Sequence, residues 1–345
     1  PRCGDFCDQC GDCLHCYGEA PCAASPDRPL RVLVLAGGLS HERDVSLRSG
    51  RRIAQLLEGA GLVVEVRDLD GDLLPELTGN PPDVVFPLVH GSTGEDGSIR
   101  GLLELLGIPY VGADSGASRL ASRKPVAKGL VTRAGLATPE FVTLPRSLFQ
   151  EIGSSAILAA VADGLGLPVA VKPEGGGSAL GVTVVTEAEL LPDAMVACFS
   201  YGNSALVERA VSGTEVAVSV VDTGEGPVAL PPVEIVTDGP YDYDARYNAG
   251  RSEYFVPARL DAAATEAACA AAVTAHQALG LRDLSRSDLI VDADGAPWFI
   301  DINVAPGMTE TSLFPQAAQA HAAAGGRSPA ELYATLVAQA AARGA

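Results

Sequence analysis

The chain has 345 residues, 47% hydrophobic and 19% charged, a composition typical of globular proteins with about two or three packed domains. The 24 Lys and Arg residues stand against 43 Asp and Glu residues, and the net charge of −19 argues against sequence-independent nucleic-acid binding. No stretch approaches the roughly 18 uninterrupted apolar residues of a membrane helix and no secretory signal precedes the first strand, so we expect a cytoplasmic protein without membrane contact.

The first 22 residues differ from the rest because they hold six of the eight cysteines: Cys3, Cys7, Cys10, Cys13, Cys16 and Cys22. Thiols at this density are typical of zinc sites and iron–sulfur clusters. Two interpretations of residues 1–28 stay open: a metal-binding extension that holds Zn²⁺ or an Fe–S cluster, or a tail with redox-labile thiols.

The next segment, residues 29–122, has the pattern of a doubly wound α/β domain. A buried strand at 30–36 enters a glycine turn, and an amphipathic helix follows at 45–58. Apolar runs at 63–66, 84–89 and 109–111 alternate with helical stretches at 98–106 and 117–134. This alternation predicts a parallel sheet with crossover helices.

From about residue 138 the strands become shorter, which predicts an α+β architecture. We expect one domain over residues 123–222, with helices at 148–163 and 187–199. We expect a last domain over residues 223–345, with strands near 228–235, 288–291 and 298–302 and helices at 262–279, 312–324 and 329–342.

The stretch "VKPEGGGSALGV" carries Lys172 on a strand and then a glycine-rich loop. Glycines let backbone N–H groups point at an anion, and the lysine adds a positive charge, so this pattern predicts a phosphate site. A plain hairpin turn is an equally good interpretation of the stretch taken alone, since glycine is the usual turn residue.

The stretches "RSDLIV" and "FIDIN" carry oxygen ligands on neighbouring strands. Asp301 and Asn303 are two residues apart and share one face of a strand, and Arg286 and Asp288 share a face of another. If the two strands pair antiparallel, the three oxygen donors meet, and such donors bind magnesium. The plainer interpretation is that acids at strand ends face water.

Two further stretches follow a strand with a glycine loop and a helix: "LAGGLSHERDVSLRSG" and "LVHGSTGEDGSIRG". Ligands bind at this edge of open parallel sheets. Glu42 and His90 are the candidate binding residues. Glu42 is also a suitable partner for a helix dipole, His90 is also consistent with a satisfied polar group, and Ser40 and Ser46 are candidate helix caps.

These motifs, with "YDYDARYNAG", "YFVPA" and "DINVAPGMTETSLFP", resemble in order and spacing the D-alanine:D-alanine ligases of the ATP-grasp superfamily over about residues 30–345. The resemblance implies a three-domain enzyme that clamps ATP between two α+β domains. It implies that one D-alanine is phosphorylated on its carboxylate, that the amine of a second attacks the acyl phosphate, and that the enzyme is a homodimer.

The resemblance also implies roles for individual residues. Glu42 would hold the ammonium of the first amino acid and join Ser178 and Tyr247 in a hydrogen-bonded triad next to a lid. Arg286 and the Gly307 backbone would contact the oxyanion. The residues implied to contact ATP are Lys124, Lys172, Glu208, Glu215 and Arg246. Two Mg²⁺ ions, with Mn²⁺ as an alternative, would be bound by Asp288, Asp301 and Asn303. The amino-acid sites would be lined by His90, Ser312 and Leu313.

The chain departs from the family pattern at a few positions. Ala179 stands where a second serine is usual, Arg246 stands where lysine is usual, and Asp301 replaces a glutamate. Three hypotheses about the function therefore remain: D-alanyl-D-alanine synthesis for peptidoglycan, a paralogous ligase that joins other amino acids in specialised metabolism, and a metal-binding or regulatory protein with a weakly active ligase domain.

Overall fold

The computed structural model of the protein describes residues 28–177, 180–237 and 252–344. The six N-terminal cysteines, Ser178 of the glycine loop, and Arg246 and Tyr247 of the expected lid lie outside the described residues. Their interpretations stay predictions.

The first sheet is parallel, as the alternating apolar runs and helices predict. Its strands lie in the order β2-β1-β3: β1 (Arg31–Leu35), β2 (Val63–Arg67) and β3 (Val84–Pro87). Helix α1 (Arg43–Gly59) connects β1 to β2 and buries Ile53 and Leu57 in the core. The central strand β1 is almost wholly buried because it has neighbours on both edges and cover on its faces.

Five short helices follow or flank this sheet: α2 (Leu73–Gly79), α3 (Ser92–Glu95), α4 (Ser98–Leu105), α5 (Ser115–Ala121) and α6 (Lys124–Arg133). The prediction of a single helix at 117–134 is wrong, because Arg123 has an extended backbone between α5 and α6. Pro125 lies in the first turn of α6, a position where proline is tolerated, whereas it would disrupt a helix interior. The break puts Lys124 at the start of α6.

The second sheet is antiparallel, with the order β4-β7-β5-β6. Its strands are β4 (Phe141–Pro145), β5 (Val169–Pro173), β6 (Thr183–Val185) and β7 (Ser204–Arg209), and its helices are α7 (Arg146–Ile152), α8 (Ser154–Leu165) and α9 (Leu191–Phe199). The helix predicted at 148–163 is interrupted at Gly153, whose φ of 92° is a left-handed conformation suited to glycine.

The third sheet is antiparallel and has six strands in the order β11-β10-β8-β12-β13, with β9 beside β8. The strands are β8 (Thr214–Asp222), β9 (Pro227–Ala229), β10 (Val233–Thr237), β11 (Ser252–Phe255), β12 (Leu284–Val291) and β13 (Pro297–Asn303). Pro231 and Pro232 separate β9 from β10, where one strand was predicted. Although the predicted domain division groups β8 with the preceding segment, β8 pairs with β10 and β12; the domain limits stay predictions.

Three helices lie in the described residues 252–344: α10 (Ala262–Ala278), α11 (Leu313–Ala323) and α12 (Pro329–Arg343). Phe86 of the first sheet, Phe314 of α11 and Tyr333 of α12 lie in one buried cluster. The Tyr333 ring centroid lies 6.5 Å from that of Phe86 and 6.4 Å from that of Phe314. The first and third sheets therefore share an apolar core.

Within the described ranges, no single helix is both long and apolar enough to cross a membrane. Helices α7 and α8, taken together, pass the same test of length and composition as a pair bent by 115°.

A buried ion pair ties the last helix to the start of β12. Asp283 is fully buried, and its carboxylate accepts hydrogen bonds from Arg343 at 2.8 and 2.9 Å and from the Gly112 amide at 2.7 Å. Arg343 also donates to the Tyr110 carbonyl oxygen at 3.1 Å. Asp283 has a φ of 63°, which Asp and Asn adopt more readily than most residues. This pair fixes β12 against the first sheet.

We expect Asp283→Asn to lower the free energy of unfolding by about 2 kcal/mol, because Arg343 loses its counter-ion while asparagine still suits the backbone. Urea denaturation measures the change. The matched control is Glu140→Gln in the exposed ion pair Arg209–Glu140, which should cost less than about 0.5 kcal/mol. Equal losses in the two variants would contradict this account.

Candidate active site

A cleft of about 280 Å³ lies between the second and third sheets. One wall is formed by β5, β6, β7 and the glycine loop, and the other by β8, β12 and β13. Its charged and polar lining residues are Glu95, Ser122, Lys124, Lys172, Glu208, Arg209, Glu215, Arg286, Asp288, Asp301 and Asn303. All seven of the candidate nucleotide and metal residues that the structure describes thus line one cavity.

The predicted pairing of the carboxylate strands is found. β12 and β13 are antiparallel, with Asp288 opposite Asp301 and Arg286 opposite Asn303, and the register shifts just after Asp288. Side chains of directly opposite residues lie on the same face. The pairing therefore brings two carboxylates, an amide and a guanidinium together, as the two-residue spacing within each strand predicted.

Each carboxylate of this pair has a basic partner. Arg286 donates from Nε to Asp288 Oδ1 at 2.7 Å and from Nη2 to Asp288 Oδ2 at 2.9 Å. Lys124 Nζ lies 3.2 Å from Asp301 Oδ2, and Asn303 Oδ1 accepts from the Ala305 amide at 2.8 Å. Basic partners thus balance the two acids.

The donor set suits a magnesium ion in its chemistry, because carboxylate and amide oxygens are hard ligands. Among residues 28–177, 180–237 and 252–344, no group of three or more His, Cys, Asp or Glu side chains forms a metal cluster. Among the described residues, Asp288, Asp301 and Asn303 are the predicted ligands, and a bound ion would take further oxygens from phosphate or water, as magnesium commonly does. The metal role of these residues stays a prediction.

The predicted ATP lysines, Lys124 and Lys172, both line the cleft. Lys124 Nζ donates to the Gly176 carbonyl oxygen of the glycine loop at 2.7 Å. Lys172, almost fully buried, forms an ion pair with Glu208. Glu208 also lies 2.7 Å from Lys128, so two lysines hold the carboxylate that the resemblance assigns to adenine or ribose. Glu215 lines the cleft as well.

Glu42 lies where three loops meet. Its Oε2 would lie 3.5 Å from a Cβ on Gly91, and its Oε1 would lie 3.8 Å from a Cβ on Gly177. The expected capping role of Ser46 is wrong, because Ser46 Oγ lies inside α1, accepts from the Gly37 amide and donates to the Leu88 carbonyl oxygen, both at 2.7 Å. Ser46 thereby ties the glycine turn after β1 to the end of β3. This loop arrangement brings the Glu42 carboxylate next to the glycine loop.

His90 is buried next to this carboxylate. Burial lowers the pKa of His90, and Arg286 lowers it further, while Glu42 and the Ala305 backbone act in the opposite direction. Within the described part of the chain, His90 Nε2 has no hydrogen-bond partner. His90 thus lies beside the carboxylate that the resemblance assigns to the first amino acid, and its role at that site stays a prediction.

The residues assigned to the second amino acid surround the turn before α11. Ser312 Oγ accepts from the Thr309 amide at 3.1 Å and lies 2.7 Å from Thr309 Oγ1. A Cβ on Gly307 would lie 2.9 Å from Ser312 Oγ, so a side chain at this position would displace the Ser312 hydroxyl. Leu313 is buried in the apolar core, and its role as a pocket wall stays a prediction.

The sequence analysis did not identify two charged residues of this region, Glu95 and Lys128. Glu95 lines the cleft and accepts from the Gly91 amide at 3.3 Å, while Lys128 lies behind Lys172 and Glu208. Glu95 ends α3, which follows directly after His90 and Gly91, and its place in the stretch "LVHGSTGEDGSIRG" was its available signal. Lys128 had a weaker signal, its spacing of one helical turn from Lys124.

Burial, and then the Glu42 carboxylate, raise the pKa of Glu95 to about 8. In the unfolded chain Glu95 releases its proton near pH 4.5, so between pH 4.5 and 8 the folded state binds more protons. The free energy of unfolding should therefore fall as the pH rises through this window, by at most about 1.4 kcal/mol per pH unit.

Urea denaturation between pH 5 and 8 tests this expectation. Glu95→Gln should flatten the pH dependence, whereas Glu58→Gln, at an exposed site on α1, should leave the slope as in the parent protein. An unchanged slope in Glu95→Gln would rule out the expected proton uptake.

Comparison with known proteins places this geometry in a family. Residues 69–113 match the family model "D-ala D-ala ligase N-terminus", and residues 130–338 match "D-ala D-ala ligase C-terminus". The D-alanine–D-alanine ligase of Gloeobacter violaceus is 42% identical over 293 residues, 84% of this chain and 94% of that protein. The ligase of Bordetella petrii is 41% identical over 313 residues, 90% of this chain and 92% of that protein.

Solved structures agree. The VanG D-Ala:D-Ser ligase of Enterococcus faecalis superposes with a TM-score of 0.76 at 27% identity, covering 91% of this chain and 100% of its own. The D-alanine–D-alanine ligase of Bacillus anthracis complexed with ATP gives 0.73 at 27% identity, covering 92% and 98%. The predicted mixed α/β fold of the ATP-grasp ligases is thereby confirmed for the described residues. The chain belongs to the D-alanine–D-alanine ligase family.

Proposed function

We propose that this protein is an ATP-dependent ligase that joins two D-alanines to make a precursor of peptidoglycan. The carboxylate of the first D-alanine takes the terminal phosphoryl group of ATP, and the amine of the second displaces phosphate from the acyl phosphate. The products are D-alanyl-D-alanine, ADP and phosphate. The observation that carries the proposal is the cleft lined by the lysines and the paired carboxylates, with Glu42 beside Gly177 of its glycine loop.

The first step transfers a phosphoryl group between two negatively charged reactants, so the site must supply positive charge. Lys124 and Lys172 are suited to hold the phosphates because both ammonium groups reach the cleft beside the glycine loop. Mg²⁺ bound by Asp288, Asp301 and Asn303 would neutralise phosphate charge during this step. Arg286, which lies on the same face, would bind the carboxylate of the first amino acid and, in the second step, the oxyanion that forms there when the amine attacks.

The first amino acid would lie between Glu42 and Arg286. A carboxylate at position 42 matches an ammonium group, and a guanidinium at position 286 matches a carboxylate, so the two ends of an amino acid have opposite charges to meet. His90 lies close to both residues, since both charges act on the pKa of its imidazole. The backbone of Gly307 would supply a further hydrogen bond to the oxyanion.

The second step needs a dry site, because water hydrolyses an acyl phosphate. We infer that the segment with Arg246 and Tyr247 closes over the cleft, that Ser178 and Tyr247 link it to Glu42, and that Ser312 and Leu313 bound the second amino acid. Cytoplasmic location and a homodimer are part of the same proposal. They rest on the family resemblance.

Turnover with a panel of amino acids tests the proposal. The protein is incubated with ATP, MgCl₂ and D-alanine, alone or with a second amino acid such as D-serine, while phosphate release and dipeptide mass are measured. We expect D-alanyl-D-alanine from D-alanine alone. A mixed dipeptide as the main product would favour a ligase with a different second substrate, and no turnover with any pair would refute the ligase proposal.

Magnesium titration tests the metal ligands. Asp301→Asn should reduce kcat/KM by about 100-fold or more and raise the Mg²⁺ concentration needed for half-maximal rate, because a charged ligand is lost. The matched control is Asp294→Asn in the exposed turn before β13, which should retain the parental rate and Mg²⁺ dependence. Parental values in Asp301→Asn would exclude Asp301 as a ligand.

A further inference from the structure

Lys128 is a fully buried lysine that the proposed mechanism does not use. Its Nζ lies 2.7 Å from Glu208 Oε2, 2.6 Å from Thr138 Oγ1 and 3.3 Å from the Phe299 carbonyl oxygen. Burial is the main cause that lowers the pKa of Lys128, to about 8, while Glu208 acts against it. A buried ammonium is unfavourable unless it is paired, so the contact with Glu208 accounts for its presence here.

The partners of Lys128 belong to both walls of the cleft. Glu208 lies on β7 of the second sheet, and Phe299 lies on β13 of the third sheet. Thr138, in the connection from α6 to β4, donates to the same Phe299 carbonyl oxygen at 2.8 Å. Lys128 therefore fixes the Glu208 side chain relative to the strand that carries Asp301 and Asn303.

Glu208 also contacts Lys172. Its second carboxylate oxygen contacts Lys172 Nζ, so the three side chains form the series Lys128–Glu208–Lys172. Burial alone would raise the pKa of Glu208, but Lys172 and Lys128 lower it overall, and the carboxylate stays ionised. Lys172 and Glu208 line the cleft, whereas Lys128 lies behind them.

The charge of Glu208 has consequences for Lys172. If Glu208 had Lys172 as its single cation, the full attraction of a buried carboxylate would oppose any movement of Lys172 towards phosphate. With Lys128 on its other oxygen, Glu208 stays neutralised when Lys172 turns to an anion. The second lysine thus lowers the electrostatic resistance to phosphate binding.

We propose that Lys128 is a positioning residue for ATP: it neutralises Glu208 from behind the cleft and so releases Lys172 to bind the nucleotide phosphates. This inference rests on the proposed ligase function, but it concerns a residue that does not touch the substrate. Lys128 and Lys124 lie one turn apart on α6. The same helix therefore contacts the glycine loop through Lys124 and Glu208 through Lys128.

Equilibrium binding of ATP and of adenosine tests the inference. Lys128→Met should weaken ATP binding about tenfold or more beyond any loss of adenosine binding, because both ligands would contact Glu208 but ATP alone would contact Lys172 through its phosphates. A general loss of structure would weaken the binding of both ligands equally. The matched control is Arg133→Met at an exposed position of the same helix, for which both affinities should stay at the parental values.

A double-mutant cycle tests the route through Glu208. In the Glu208→Gln background, Lys128→Met should change ATP affinity by less than about threefold, because no carboxylate remains to be neutralised. Equal effects in both backgrounds, or equal losses of ATP and adenosine binding, would overturn the inference. Should Lys128→Met not fold, Lys128→Gln serves the same cycle, since glutamine retains hydrogen bonding and lacks charge.

Steady-state kinetics separates this inference from the proposed function. We expect Lys128→Met to raise KM for ATP more than it lowers kcat, with KM for D-alanine near the parental value. If the parent protein makes dipeptide and the Lys128→Met variant has an unchanged KM for ATP, the positioning role alone is refuted. A parent protein without dipeptide turnover would refute the ligase proposal, while the binding experiments still decide the role of Lys128.

Discussion

The antiparallel pairing of β12 with β13 is the constraint on which the rest of the site depends. Its register puts Asp288 opposite Asp301 and Arg286 opposite Asn303, which concentrates charge on one face of the third sheet. Two carboxylates this close repel each other unless cations balance them. Arg286 and Lys124 balance them, and the same carboxylates are the ones proposed to hold the metal when nucleotide binds.

The cations near the cleft stand in contrast to the overall charge of −19. A polyanion such as ATP is repelled by the protein surface as a whole, so its affinity must come from a local group of cations. That group consists of Lys124, Lys128 and Lys172. The first two lie one turn apart on α6, and Lys172 lies on strand β5. Glu208 lies between two of them and keeps the ammonium groups from repelling one another.

Close backbone approach is the second requirement of the site. Gly91 and Gly177 lie where a side chain would meet Ser40, Glu42 or Glu95, and Gly307 lies against Ser312. The glycine-rich stretches could be recognised from the sequence as binding loops because glycine permits tight turns. Which loops come together around Glu42 could not be recognised, because they lie far apart in the chain and meet through the parallel order of β1 and β3 and the position of the second sheet.

The sequence by itself determined the alternation that gives a parallel sheet, the same-face pairs Arg286/Asp288 and Asp301/Asn303, and the motifs of the family, because these follow from periods of two residues or from local turns. Tertiary structure alone decided the break before Lys124, the burial of Lys128, the bridging of Glu208 by two lysines and the raised pKa of Glu95. Burial and charge neighbours come from distant segments, so local sequence does not contain them.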